Sequence, residues 1–148
     1  MTQTTPPTHL VLYADDDADD IRFVEESFSE TTSNIELVTA YNGLDLLKYL
    51  KGLQPFDPDP CLIILDINMP MMNGKETLFK IREIDRFRNT PVVLFTTSST
   101  DLDKNFASKF NAGFVTKPLD SAQMKNITDH FIDHCTDEVK KSIRKQHN

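Results

Sequence analysis

LIILDINMPMMNG, residues 62–74, is an apolar run that leads without interruption into an aspartate. Extended by Cys61, the run is CLIIL, with no polar side chain at any position. A strand with one face in solvent alternates apolar and polar residues, whereas a strand covered on both faces is apolar throughout, as in the centre of a parallel sheet. Asp66 therefore stands at the carboxyl end of a central strand. Beyond Gly74, Leu78, Ile81 and Ile84 recur at helical spacing, so a helix follows the turn.

The same alternation extends in both directions from this segment. Upstream, HLVLYA (residues 9–14) precedes a helix with Ile21, Val24 and Phe28 on one face, and a weaker strand runs from Ile35 to Thr39. Asn42 caps a helix carrying Leu44, Leu47 and Leu50, and a loop with Pro55, Pro58 and Pro60 returns to the central strand. Downstream, PVVLF (residues 91–95) is followed by a helix with Leu102, Phe106 and Phe110 facing inward. A short strand, Gly113 to Thr116, ends at Lys117-Pro118, and a last helix presents Met124, Ile127, Phe131 and Cys135 as a stripe. Five strand–helix pairs predict an α/β fold, a doubly wound five-stranded parallel sheet flanked by helices. The domain is expected over residues 9–136, between a disordered leader at 1–8 and a C-terminal extension at 137–148.

At 148 residues the chain suits one domain. With 39% hydrophobic and 26% charged residues it has a globular composition, and no apolar run approaches the ~20 residues that span a bilayer. MTQTTPPTHL lacks the basic start and apolar stretch of a secretory signal, which predicts a cytoplasmic protein. The net charge of −7 argues against a nucleic-acid surface; the one basic cluster, Lys140, Lys141, Arg144 and Lys145, lies in the tail. Cys61 and Cys135 form no C-x-x-C pair and read as reduced structural thiols, one on a strand and one on a helix.

In an open α/β sheet, ligands bind beyond the carboxyl ends of the strands. Asp15, Asp16 and Asp17 follow the first strand, Asp66 the third, Thr96 and Thr97 the fourth, and Lys117 the fifth. Clustered carboxylates are costly without a cation, and oxygen donors favour a hard ion such as Mg²⁺. A carboxylate that attacks a phosphoryl group forms an acyl phosphate, and the developing charge calls for a metal, a lysine and a hydroxyl donor. Asp66 is the candidate nucleophile, and the neighbouring strand ends supply the rest.

These residues, in this order, resemble the response-regulator receiver family from about His9 to about Cys135. The resemblance rests on the apolar strand, the acceptor aspartate, Met-Pro after two residues and the turn glycine. It is joined by the acidic pair after strand one, by Thr96 after PVVLF, and by Lys117-Pro118 after GFVT. It implies a (βα)5 flavodoxin-like receiver fold of the chemotaxis-regulator type, working as a stand-alone switch in a two-component phosphorelay rather than as an enzyme on an outside substrate. By the same resemblance, Asp15, Asp16, Asp66 and the carbonyl of Asn68 hold Mg²⁺. Asp66 takes the phosphoryl group from a histidine kinase or phosphotransfer protein, and Thr96 and Lys117 contact its oxygens. Thr96 and the aromatic Phe114 form the switch, Phe114 lacking the hydroxyl of the tyrosine often found there. The Pro-rich loop near residues 51–60 and the tail are similar to features of receivers serving phytochrome-type kinases.

Competing readings of the same residues are weaker. DDDADD imitates a calcium loop, with Asp15, Asp17 and Asp19 at alternate positions and Glu26 further on, but Asp20 holds the glycine position and a strand precedes the run. His130 and His134 have the spacing of a metal pair without a further ligand, which fits a polar helix face. An aspartyl-phosphate phosphatase wants a second acid two residues after its nucleophile, where this chain has Asn68. A phosphate-independent docking module has no need of Asp15, Asp16, Asp66, Thr96 and Lys117 together. Lys117 is expected at a solvent-facing edge, and Ser98 is expected to position an attacking water poorly. Val139 and Ile143 extend the last helical stripe at four-residue spacing, predicting a helix that outruns the sheet and a homodimer through its exposed apolar face.

Overall fold

The computed structural model describes residues 8–143. Strands His9–Ala14 (β1), Ile35–Ala40 (β2), Pro60–Leu65 (β3), Val92–Thr96 (β4) and Gly113–Thr116 (β5) pair in parallel in the order β2-β1-β3-β4-β5. The apolar CLIIL strand is central, as its composition requires. From β1 the chain winds to one side to make β2, then crosses back to make β3. The reversal leaves a crevice at the carboxyl ends of β1 and β3.

Helices Ala18–Thr31 (α1), Gly43–Gly52 (α2), Gly74–Glu83 (α3) and Asp101–Lys109 (α4) connect the strands, and a 3₁₀ turn at Asp85–Phe87 precedes β4. Asp17, Asn42, Asn73 and Thr100 each accept a backbone N–H from the first turn that follows, so each helix starts where a capping side chain stands. Because side chains alternate across a strand, the sheet divides the core in two. Leu10, Leu12, Ile63, Leu65 and Leu94 pack under α2, α3 and α4, and Val11, Tyr13, Leu62, Ile64, Val93 and Phe95 pack under α1 and the C-terminal helices.

The inward faces of two helices differ from expectation. In α2 the buried leucines are Leu46, Leu47 and Leu50, with Leu44 half-buried. In α4 the phase is set by the Thr100 cap, which turns Asp103 and Ala107 inward and leaves Leu102 74% exposed; Phe106 and Phe110 are half-buried on its flank.

The C-terminal region departs further. The last helix is two short ones, Ser121–Met124 (α5) and Ile127–Ile132 (α6), and the stripe of Met124, Ile127, Phe131 and Cys135 packs in the second core as expected. Cys135 lies just past α6, its thiol 3.8 Å from the Cys61 carbonyl, and neither cysteine is in a disulfide. The chain then turns, because Thr136 accepts the Val139 N–H through its hydroxyl and caps a separate helix, Asp137–Ile143 (α7). Ile143 is fully buried. Its carbonyl accepts from Ser33 N–H at 2.8 Å, and Ser142 Oγ lies 2.8 Å from His9 Nε2. The predicted continuous helix with an exposed apolar stripe is therefore replaced by a clasp across the amino ends of β1 and β2. The homodimer expected through that stripe loses its surface. Residues 1–7 of the expected leader, and Arg144 and Lys145 of the tail, lie outside the described residues. No helix among the described residues is long and apolar enough to cross a membrane.

Candidate functional site

Odd and even positions explain how the site assembles. Asp15 continues the Val11–Tyr13 face of β1, Asp66 the Leu62–Ile64 face of β3, and Lys117 the Val115 face beyond β5. All three project from the same side of the sheet at its carboxyl edge. Thr96 continues the opposite face, that of Leu94, and Phe114 packs against the first core. The two proposed switch residues thus share one face and the charged groups share the other.

Asp15 is fully buried, and both of its carboxylate oxygens accept hydrogen bonds. Oδ1 accepts from Asp17 N–H at 2.9 Å, and Oδ2 accepts from the Tyr13 hydroxyl at 2.6 Å and from Lys117 Nζ at 2.8 Å. Lys117 also donates to Asp20 Oδ2 at 2.8 Å and stands 3.3 Å from Asp66 Oδ2. Lys117 is buried, not at a solvent-facing edge as expected, and its ammonium packs 5.4 Å from the centre of the Phe95 ring. Burial works against its charge, but the hydrogen bonds to Asp15 and Asp20 and the nearby carboxylates outweigh it and raise its pKa. The Asp66 pKa is also raised, which for an acid favours the neutral form. Burial first, then the Asp15 charge, push its carboxyl up to about 7, with Lys117 pulling the other way. Burial and Asp15 likewise push the Tyr13 phenol up, so it stays a donor.

Carboxylate oxygens of Asp15, Asp16 and Asp66 lie within 4.8 Å of one another, with Asp16 on the exposed side. Three acids, Asp15, Asp20 and Asp66, contact one ammonium, and Asp16 adds a further carboxylate beside Asp15 and Asp66. An all-oxygen donor set with surplus negative charge and an open side suits a hard divalent cation. Asn68, whose carbonyl is the further expected ligand, is exposed two residues past Asp66. Gly74 explains how the loop closes so tightly: a Cβ there would lie 2.2 Å from the Asp66 carbonyl oxygen, so only glycine fits.

Thr96 is buried, and its hydroxyl accepts from Ser98 N–H at 3.2 Å. Ser98 is not a free side chain beside the acceptor. Its hydroxyl donates to Asp103 Oδ2 at 2.7 Å, and Asp103 is ion-paired with Lys75, so the β4–α4 loop is tied to α3 and α4. The other acids of DDDADD have structural work. Asp17 caps α1 by accepting from Asp19 and Asp20 N–H, and exposed Asp19 faces Arg22, which removes the calcium-loop arrangement. His130 and His134 are exposed, and neither joins a group of three potential ligands among the described residues.

Sequence reasoning missed Tyr13 and Asp20. For Tyr13 the signal was its spacing of two from Asp15, which puts both side chains on one strand face. For Asp20 it was the position three residues after a capping aspartate, which fixes it in the first turn of α1.

The receiver domain of response regulators, as a family model, matches residues 11–129. The response regulator Rcp1 of Synechocystis sp. is 31% identical over 105 residues, covering 70% of this chain and 71% of that protein. Among solved structures, the phosphorylated cyanobacterial phytochrome response regulator RcpA superposes with a TM-score of 0.76 at 26% identity, over 87% of this chain and 97% of that one. The Mn²⁺-bound form of Rcp1 gives 0.75 at 26% identity, over 86% and 97%.

Proposed function

Because the chain belongs to the response-regulator receiver domain family, whose general role is to be phosphorylated by histidine kinases, we propose that Asp66 is its phosphoryl acceptor. The observation that carries this reading is the contact of Asp66 with Lys117, 3.3 Å away, inside the only triad of potential metal ligands among the described residues. An Asp66 carboxylate oxygen attacks phosphorus and the P–N bond of a phosphohistidine breaks. The electron pair leaves with the imidazole, and an aspartyl phosphate remains. Lys117 and the Thr96 hydroxyl donate to the phosphoryl oxygens. Asp15, Asp16, Asp66 and the Asn68 carbonyl hold Mg²⁺, which supplies charge neutralisation when bound. Drawing Thr96 toward the phosphoryl group frees space on its own sheet face, where Phe114 repacks and carries the change to α4 and β5. The partner is a cytoplasmic histidine kinase or phosphotransfer protein, and the likeness to the cyanobacterial phytochrome response regulator RcpA favours a kinase of phytochrome type.

Intact mass spectrometry tests the assignment. With Mg²⁺, acetyl phosphate adds one phosphoryl mass to the wild type and none to Asp66→Asn. Equal labelling of the two proteins refutes the acceptor, and no labelling of either refutes the site.

A further inference from the structure

Asp20 lies outside the metal triad and outside the acceptor, yet it makes one of the two shortest contacts of the site lysine. An ammonium has three N–H bonds. Here two of them meet Asp15 and Asp20 at 2.8 Å each, and the third faces Asp66 across 3.3 Å. The two short partners come from one stretch of chain, the end of β1 and the first turn of α1. The Asp17 side chain pins that turn by accepting from both Asp19 and Asp20 N–H. The Asp20 side chain is 25% exposed against 8% for Lys117, so it is the more solvent-facing partner of the pair.

We infer that Asp20 is a positioning residue that holds Lys117 on the β1–α1 corner. In that place the ammonium can reach a phosphoryl oxygen on Asp66, while its two shorter contacts stay on the corner and its contact with the unmodified carboxylate stays the longest of the three. Without Asp20 the flexible lysine stem swings to its strongest remaining neighbours, Asp15 and Asp66, and competes there with a cation for the same oxygens. The inference rests on Lys117 facing the phosphoryl group, as proposed above, but the tether can be read without any phosphoryl chemistry.

Two measurements decide it. The first is ¹⁵N NMR of the lysine ammonium groups in metal-free protein. Wild-type Lys117 gives a signal protected from exchange, and Asp20→Ala loses or shifts it, while Asp19→Ala, which removes the same charge from the same turn, leaves it unchanged. The second is calorimetric titration with Mg²⁺. Asp20→Ala weakens binding about fivefold, Asp19→Ala changes it less than about twofold, and in a Lys117→Ala background the Asp20 effect shrinks to that of Asp19. An unchanged Lys117 signal in Asp20→Ala overturns the tether. Equal losses for Asp19→Ala and Asp20→Ala, or an Asp20 effect that persists without Lys117, overturn its action through the lysine. Wild type that takes no phosphoryl group overturns the acceptor reading alone, and the NMR comparison still decides the tether. Melting curves of each variant exclude unfolding as the cause.

Discussion

The two ends of the same sheet are built on opposite principles. At the amino edge, polar groups are joined by hydrogen bonds. Ser33 N–H meets the Ile143 carbonyl, His9 meets Ser142, and deeper between α1 and α6 Ser27 and Thr128 bond to each other at 2.7 Å. At the carboxyl edge, Asp15, Asp66 and Lys117 are buried ionisable groups, and acids outnumber the ammonium. Burying charge costs stability unless pairing is complete, and pairing here is incomplete by construction. The comparison teaches where stability and function separate. Changes at the amino edge should cost folding and spare chemistry, whereas changes at the carboxyl edge should alter chemistry and shift stability in either direction.

The largest stability effect is expected from Lys117→Ala. Removing the ammonium leaves Asp15 and Asp66 buried against each other, at a cost of about 3 kcal/mol in metal-free buffer. Thermal melts with EDTA and with Mg²⁺ check this, because a divalent cation should restore much of the loss. An unchanged melting temperature in EDTA would place the lysine in solvent after all and dissolve the contrast between the edges.

At the other edge, Ile143→Ala removes a fully buried side chain from the clasp formed by α7. It should cost about 2 kcal/mol. Labelling of Asp66 by acetyl phosphate should stay at the wild-type level, and the sedimentation coefficient should be that of wild type. If the variant melts like wild type, α7 contributes nothing to the fold.

The third prediction concerns pH. The Asp66 carboxyl is raised from 3.8 to about 7 by burial and the Asp15 charge. Below about pH 4 it is neutral both folded and unfolded. Between about 4 and 7 the unfolded chain has released the proton while the folded protein retains it, so stability falls as pH rises through that window, and the full penalty stands above 7. Asp66→Asn has no such charge. In EDTA its stability advantage over wild type should therefore grow from pH 5 to pH 8, reaching about 2 kcal/mol. Mg²⁺ needs the ionised carboxylate, so its stabilisation of wild type should be larger at pH 8 than at pH 6. Denaturant titrations at three pH values, with and without Mg²⁺, give both signs, and a reversed trend would mean that the carboxyl is ionised throughout.

Much of this molecule can be read from its sequence because strand identity and strand-end chemistry are local. CLIIL could be central only if covered on both sides, and an acid directly after such a strand falls on the edge where ligands bind. The family model and the superposed structures agree with the fold read this way. What escaped depends on longer-range geometry. Val139 and Ile143 keep a four-residue spacing, but spacing reports a common face only if the helix axis is unbroken, and Thr136 caps a new helix between them and α6. Leu102 was placed inward by its spacing from Phe106, although the Thr100 cap sets the phase of α4 and buries Ala107. Lys117 looked exposed because its burial comes from Asp15 and Asp20, which are distant in sequence. Tyr13 reads as an ordinary β residue until its hydroxyl has a partner.

The smallest predicted effect is at Ser98, and it tests whether the carboxyl edge extends its control into the β4–α4 loop. The sequence alone suggested that this short side chain positions an attacking water poorly. The structure adds a reason, because the hydroxyl is engaged with Asp103, itself paired with Lys75. Two substitutions separate these contributions. Ser98→Ala breaks the link to Asp103, costing about 1 kcal/mol of stability, and leaves no polar atom to reach the acceptor. Ser98→Gln loses the same link but extends a carboxamide that can hold a water against the aspartyl phosphate. If reach is what matters, the glutamine variant loses its phosphoryl group about threefold or more faster than wild type and the alanine variant stays within about twofold. If the link to Asp103 sets the lifetime by fixing the loop that carries Thr96, both variants change together and in the same direction. Decay of the phosphorylated mass after the phosphodonor is removed distinguishes the two, and unchanged lifetimes in both variants would take position 98 out of the mechanism.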